Sequence, residues 1–340
     1  MLQCTLNWGI FRAIGHRAHN GKKGLMRDRL SCIACVLLFI ALMLVSLRYI
    51  TDFWLLAFFY SLQPHIGAAA IIGSLICLAI RRSTVAWALL AWSIFITVHA
   101  FWMKLEFLPP SDTVISEKAT RFRLLSFNVL GDNFTNADRI VDTIRMSGAD
   151  VAYAMEAGPL GDRLDQLKDI YPYHIGCGVM VEFCDLLILS KYPIEQPRFF
   201  SLSELRANRF AIAGIRIGGQ LVNFSAIHVT KPYFDDYHTL ELIRAGAYMR
   251  QRPGPKILAG DFNSDSIAPD MQRFLRHYKM HTAGFEPATW PIEAGLFGVP
   301  IDHIFMTGEI KAVGLHRLPD SEGSNHFGLI ADLAIEPASN

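Results

Sequence analysis

The chain has 340 residues, with 32 Lys/Arg against 31 Asp/Glu, and 51% of it is hydrophobic, which is high for a wholly soluble protein. The first 111 residues hold ten basic and three acidic side chains, leaving 22 of the basic and 28 of the acidic residues to the remainder. That acidic remainder argues against tight non-specific nucleic-acid binding, which rests on neutralising phosphates with Lys and Arg, although it leaves room for a local basic patch.

In chain order, residues 1–30 are a basic head, in which Arg12, Arg17, Lys22, Lys23, Arg27 and Arg29 stand against Asp28. Residues 31–104 are almost continuously apolar and predict about three membrane-spanning helices, since a span needs roughly 20 apolar residues. Residues 31–48 and 85–103 are each one span. Residues 53–80, interrupted by Gln63-Pro64-His65, read as an interfacial or re-entrant stretch or helix start over 53–62, followed by the main span over 65–80. A single long tilted helix is the alternative. The first apolar run is followed by two more rather than by a cleavage site, which argues against a signal peptide. The basic head and Arg81-Arg82 belong on the cytoplasmic side, and three spans then put the carboxyl-terminal domain outside the cytoplasm. Trp102, Lys104 and Pro109-Pro110 suit an interface anchor leading into a linker over 105–119. Cys177 and Cys184, the only cysteines of the soluble part, are either two buried free thiols or a disulfide. The CxxC at Cys32–Cys35 lies inside a span and carries little redox weight.

From residue 120 to 340 the pattern is that of a globular domain. Strands are predicted at 123–129, 151–156, 185–190, 210–217, 220–227, 256–259, 301–306 and 329–335, with a hairpin turn at Gly218-Gly219. Helical spacing covers 136–146 and 239–250. Strands dominate, so the expected fold is α+β: a two-layer β core with helices outside. Asn128, Glu156, His228, Asp261 with Asn263, Asp302 and His326 all fall at the ends of apolar strands, where they can converge on one cleft. Carboxylates and amide oxygens are hard ligands suited to Mg2+ or Mn2+, and the histidines lack a zinc-ligand spacing. This donor set suits metal-assisted attack of water on phosphorus. Singly each signal is weak: Asp261-Phe262-Asn263 is also an ordinary Asx turn, and His228 is also an ordinary core histidine.

Leu124-Leu125-Ser126-Phe127-Asn128, Met155-Glu156, Ile227-His228, Gly260-Asp261-Phe262-Asn263, Thr289-Trp290-Pro291, Ile301-Asp302-His303-Ile304 and Ser324-Asn325-His326, in this order, resemble the endonuclease/exonuclease/phosphatase superfamily of deoxyribonuclease I, which extends to abasic-site endonucleases, inositol-polyphosphate 5-phosphatases and neutral sphingomyelinases. The resemblance covers about residues 120–335. Three preceding spans look like a bacterial subgroup, some members of which are linked to envelope lipids or glycopeptide resistance. It implies a deoxyribonuclease I-like sandwich and a multi-pass protein of the bacterial inner membrane. The cofactor implied is Mg2+ or Mn2+, the partners a membrane and a phosphate ester, with nucleic acid disfavoured and no protein partner readable.

The same resemblance implies roles. Glu156 is the principal metal ligand with Asn128 beside it, and Asn325 is either a neutral ligand or a substitution that weakens the site. Asp261 orients or deprotonates the attacking water, Asn263 holds a phosphate oxygen, and His228 donates to the phosphoryl oxygens. His326 pairs with Asp302, and His303, on the other face of its strand, is structural. Two departures stand out: Asn325 occupies a position where the family usually has Asp, and Phe327-Gly328 replaces a run that usually contains Pro. The function expected is hydrolysis of a phospholipid, lipid pyrophosphate or other small phosphoester. An extracytoplasmic nuclease and a non-catalytic binding module are the competing readings. Specificity would come from the loops 134–136, 233–237 and 265–270, where Tyr233, Phe234 and Tyr237 either touch a lipid or pack locally.

Overall fold

The computed structural model describes residues 7–109 and 115–337, with side chains from residue 26 onward. The side chains of Arg12, Arg17, Lys22 and Lys23, together with Cys4 and the linker residues 110–114, lie outside the described residues. The chain forms two compact units, one of Met1–Thr51 with Leu62–Phe101 and one of Asp52–Ser61 with Trp102–Asn340.

Four helices precede the first strand: α1 (Asn7–Ser46), α2 (Ala57–Ser61), α3 (Gln63–Ile80) and α4 (Thr84–Glu106). Three stretches, Met26–Tyr49, Gln63–Ile80 and Thr84–Glu106, are long and apolar enough to cross a membrane. Within the first unit, Asp28 pairs with Arg81 at 3.2 Å at one end of the helices. At the other end Arg48 donates to Gln63 at 2.6 Å, and the buried Gln63 donates to the Ile96 carbonyl at 2.9 Å. The long-helix alternative for 53–80 does not hold. Trp54–Leu56 is a 3-10 turn, α2 ends at Ser61, and α3 restarts at Gln63 with Pro64 in its first turn, where a missing N–H costs nothing.

The second unit is a two-sheet sandwich. Its elements in order are β1 (Thr120–Asn128), α5 (Ala137–Met146), β2 (Val151–Met155), β3 (Tyr173–Ile175), β4 (Leu186–Ser190), β5 (Ile194–Phe200), β6 (Phe210–Ile217) and β7 (Gln220–His228). They continue with α6 (Tyr237–Arg250), β8 (Lys256–Asp261), α7 (Pro269–Tyr278), β9 (Met280–Thr282), β10 (Asp302–Thr307), β11 (Ile310–Arg317) and β12 (Leu329–Ile335). One sheet has the order β11-β12-β1-β2-β4-β3 and the other β5-β6-β7-β8-β10-β9. Among the described strands only β1/β2 and β7/β8 pair in parallel, and each of those pairs is bridged by a crossover helix, α5 or α6. The central strands are buried on both faces, which is why they read as apolar runs rather than alternating ones. Phe122, Leu124, Phe224 and Ile304 fill the space between the sheets. Helices α6 and α7 cover one sheet through Leu242, Met271 and Phe274, and α5 covers the other through Ile140 and Ile144.

The predicted α+β sandwich is the fold observed. The strands not anticipated are β3, β5, β9 and β11, which lie at sheet edges. Two of them have three residues, and the other two carry register shifts at Glu195/Arg198 and Ala312/Gly314. Helix α7 is not among the predicted helices either, although Met271, Phe274 and Leu275 have helical spacing. Cys177 and Cys184 are joined as a disulfide, closing a small loop immediately before β4.

Candidate functional site

The site is assembled by strand register. His228 ends β7 directly opposite Asp261 at the end of the parallel strand β8. Asp302, the first residue of the antiparallel strand β10, is opposite Asp261 on its other side. In the other sheet Asn128 ends β1 opposite Met155 of β2, and Glu156 follows. Asn128 joins the two sheets, donating from Nδ2 to Asp261 Oδ2 at 2.9 Å and to Glu156 Oε1 at 3.4 Å.

Backbone constraints explain the local sequence. Gly260 has φ +150°, and a Cβ there would lie 1.8 Å from the Ile227 carbonyl oxygen, so only glycine lets β8 run beside β7 into Asp261. Glu156 and Asn263 both adopt left-handed backbone (φ +52° and +51°), which is common for Asn but strained for Glu. The Glu156 carboxylate is tied to the Gly131 N–H, which donates at 2.9 Å. The Asn263 N–H donates to Asp261 Oδ1 at 2.8 Å, the expected Asx turn, and its side-chain Nδ2 donates to the Val229 carbonyl at 2.9 Å. Thr289 Oγ1 accepts the N–H of Ile301 and of Asp302, fixing where β10 begins.

Two imidazoles face this cluster. His326 places Nδ1 2.9 Å from Asp302 Oδ2 and Nε2 3.8 Å from Asp261 Oδ2. Burial alone would lower its pKa, but Asp302 first, then Asp261 and Glu156, hold it up at about 9. Ser324 anchors that loop: its hydroxyl donates to the Asn128 carbonyl at 2.7 Å and accepts the His326 N–H. His228 faces Asp185 through Nδ1 at 3.3 Å, and its Nε2 lies 3.4 Å from Arg209, 3.7 Å from Asp261 and 3.8 Å from Glu156. Arg209 also donates to Asp185 at 3.2 Å. Burial works to raise the Asp185 carboxyl, but His228 and then Arg209 outweigh it and hold it below the usual range.

Asn128, Glu156, His228, Asp261, Asp302 and His326 are therefore brought together, with Asn263 bonded at the edge of the group. Asn325 precedes His326 on the same loop, and its Oδ1 is buried without a hydrogen-bond partner, as is Oδ1 of Asp302. Oxygens left unbonded in a buried polar cluster are what a cation site provides. The ligand atoms of Asp261, Asp302 and His326 lie within 4.8 Å of one another. The donors therefore fit a divalent cation. His303 sits elsewhere, fully buried between Glu286 and the Ser264 carbonyl. Sequence reasoning misses Asp185 and Arg209, because it looks mainly to the ends of strands. These two precede β4 and β6, whose antiparallel pairing with β2 and β7 brings their starts to the same edge.

A sequence model described as "Endonuclease/Exonuclease/phosphatase family" matches residues 125–326. No curated protein sequence matches the chain. Among solved structures, an endonuclease/exonuclease/phosphatase from Bacteroides vulgatus is 19% identical with TM-score 0.53, covering 64% of this chain and 100% of that one. The beta toxin of Staphylococcus aureus is 17% identical with TM-score 0.50, covering 62% and 99%. The TDP2 protein of D. rerio, complexed with a single-strand DNA product, is 15% identical with TM-score 0.50, covering 63% and 98%. These likenesses establish the sandwich fold.

Proposed function

The chain belongs to the endonuclease/exonuclease/phosphatase family, and on that premise we propose that it is a membrane-anchored, metal-dependent phosphoesterase acting outside the cytoplasm on a phospholipid, lipid pyrophosphate or other small phosphoester. We keep the division into a cytoplasmic head (1–30), membrane segment (31–104), linker (105–119) and catalytic domain (120–340), in a bacterial inner membrane. The carrying observation is the convergence of Asn128, Glu156, His228, Asp261, Asp302 and His326 at one edge of the sandwich, with two oxygens left unbonded.

Mg2+ or Mn2+ fits these oxygen donors; Glu156 and Asn128, with Asn325 as a neutral third ligand, would hold it. When bound, the ion supplies positive charge to the phosphoryl oxygens. Asp261, fixed by Asn128, orients a water and takes its proton. His228 and Arg209 face the space where negative charge accumulates on phosphorus, and Asn263 borders it at the edge. Asp302 orients His326 through Nδ1, leaving Nε2 toward the cleft.

Topology supports the extracytoplasmic placement. Asp52–Ser61 folds with Trp102–Asn340 as one unit, so both must lie on the same side of a membrane. That requires an even number of crossings between them, which α3 and α4 supply. Arg81 pairs with Asp28 at the opposite end, beside the basic head.

The test is Mg2+-dependent release of phosphate or alcohol from envelope phospholipids, lipid pyrophosphates and nucleotides by the purified chain, with Glu156→Ala beside it. Hydrolysis lost in the variant is the expected result. Equal behaviour of the two proteins sinks the reading, and cleavage confined to DNA or RNA that vanishes in Asp261→Ala moves it to a nuclease. Absence of any Mg2+ or Mn2+ binding by calorimetry favours a binding module.

A further inference from the structure

Residues Asp52–Ser61 lie in the chain between α1 and α3, two helices with the length and composition of spans, yet they fold with the catalytic unit. Eight of the ten residues are in 3-10 or α conformation, so the segment reaches roughly 20 Å at most, and bracketed by two span-length helices it stays at the membrane surface. Its attachments are specific. Asp52 forms an ion pair with Arg273 of α7. Ser61 Oγ accepts the Asp265 N–H at 3.3 Å, and the Phe58 ring meets Tyr233 edge-on at 6.5 Å between centroids. Lys104, in the last turn of α4 and also part of the catalytic unit, donates to Asp265 at 3.1 Å, with the two side chains only 12% and 1% exposed.

These anchor points sit in the two loops that leave the site. Asp265 lies two residues beyond Asn263, and Tyr233 five residues beyond His228. Around them runs a row of large apolar side chains left uncovered: Phe53 is 45% exposed, Leu55 54%, Phe58 49% and Phe234 67%, with Tyr233 linking Phe58 to Phe234 through ring contacts. Their neighbours in the same segment, Tyr60 and Ser61, are buried, and Ser61 is bonded to Asp265, so the exposure is confined to part of the segment. Contiguous apolar surface of this kind marks a binding face, and aromatic residues at the ends of spans belong at the headgroup level. In sequence, Lys231 precedes Tyr233-Phe234 and Asp235-Asp236 follow it, so this loop offers no net positive charge and its attraction to lipid is apolar.

We propose that Phe53, Leu55, Phe58, Tyr233 and Phe234 form a lipid-facing shelf at the mouth of the site, and that the substrate is a lipid phosphoester entering sideways from the bilayer, its hydrocarbon on the shelf and its phosphate at the Glu156–Asp261 cluster. The substrate part rests on the phosphoesterase reading above; the shelf does not. The loops carrying His228 and Asn263 are then held at headgroup depth by Asp265, which accepts a bond from Lys104 and donates its N–H to Ser61.

The full chain in dioleoyl phosphatidylcholine vesicles, with p-benzoylphenylalanine in place of Phe58, Phe234 or Met146, tests the shelf without reference to activity. Met146 is 85% exposed but lies at the far end of the sandwich, beside Ser147, whose carbonyl takes a bond from Arg123 near the start of β1. Illumination should give lipid adducts at positions 58 and 234 and none at 146. No adduct at 234, or equal adducts at 146, overturns the shelf. The substrate part is tested with phosphatidic acid and phosphatidylglycerol, each as the dioleoyl lipid in vesicles and as the soluble dibutyryl ester. Phe58→Ser with Phe234→Ser should lower kcat/KM on the dioleoyl lipid about tenfold and on the dibutyryl ester less than about twofold. Equal losses on both, or none on either, overturn it. Adducts at 58 and 234 with no turnover of any ester by the unsubstituted chain would uphold the shelf and sink the phosphoesterase reading, and the lipid substrate with it.

Discussion

Among its described residues the second unit holds two pairs of histidines against carboxylates, and the contrast between them is instructive. In the inner pair both ring nitrogens are occupied. His238 lies between Asp270 at 2.6 Å and the Phe262 carbonyl at 2.8 Å, and His303 between Glu286 and the Ser264 carbonyl. In the outer pair one nitrogen is oriented by a carboxylate and the other meets side chains of the site: His326 Nε2 is 3.8 Å from Asp261, and His228 Nε2 is 3.4 Å from Arg209, 3.7 Å from Asp261 and 3.8 Å from Glu156. All four are buried, and burial does not distinguish them. What differs is whether the second nitrogen is closed off by a backbone carbonyl. A closed imidazole ties loops together, whereas an open one keeps a nitrogen for a ligand.

The comparison predicts that substitutions in the outer set abolish chemistry and leave the fold, and that those in the inner set do the reverse. The largest effect is expected for Asp261→Ala, about a thousandfold loss of Mg2+-dependent hydrolysis. Its thermal midpoint should fall only slightly, because the bonds from Asn128 and Asn263 are lost while repulsion from Glu156 and Asp302 is relieved. A midpoint that falls in step with the rate would erase the distinction. Next is Glu286→Ala, which leaves the fully buried His303 without its counter-charge and should lower unfolding free energy by about 3–5 kcal/mol, read by denaturant titration. Activity at low temperature, normalised to folded protein, should survive it.

Smaller is Asn325→Asp, which adds charge where Oδ1 now has no partner and should tighten Mg2+ or Mn2+ binding about tenfold by calorimetry. No change would remove Asn325 from the ligand set. The smallest is a pH effect on stability. Burial lowers the His238 pKa, but Asp270 outweighs it and the net shift is upward. The folded pKa exceeds the unfolded value of about 6.5, so this stability is fully present below that pH and is lost as pH rises through the folded pKa. Asp270 is shifted downward in spite of burial, chiefly by His238, so its contribution is present above about pH 3.9 and is lost as pH falls through its folded pKa. Thermal midpoints should therefore decline on the alkaline side. His238→Asn should flatten that limb without abolishing it, because His303 is raised in the same way by Glu286 against its own burial.

Much of this molecule is legible in the sequence. Three apolar stretches, the central strands and the set Asn128, Glu156, His228, Asp261, Asp302 and His326 all follow from hydropathy, apolar runs and short motifs. Strand alternation alone sets His303 apart from Asp302. It does not mark His238 as closed, because the partners Asp270 and Phe262 lie 32 and 24 residues away. Asp185 and Arg209 give a weak signal for the same reason. Each opens a strand, and only the antiparallel pairing of that strand turns its start toward the site.

The segment between the first two span-length helices shows the boundary most clearly. By itself the sequence determined that residues 53–62 are a short apolar stretch, read as interfacial, re-entrant or the start of a helix, because that reading depends on composition and on neighbours along the chain. Tertiary structure alone decided that Asp52–Ser61 folds with the sandwich unit, through Arg273, Tyr233 and Asp265. Contacts across more than 170 residues depend on sheet register and loop geometry, and no local periodicity encodes them.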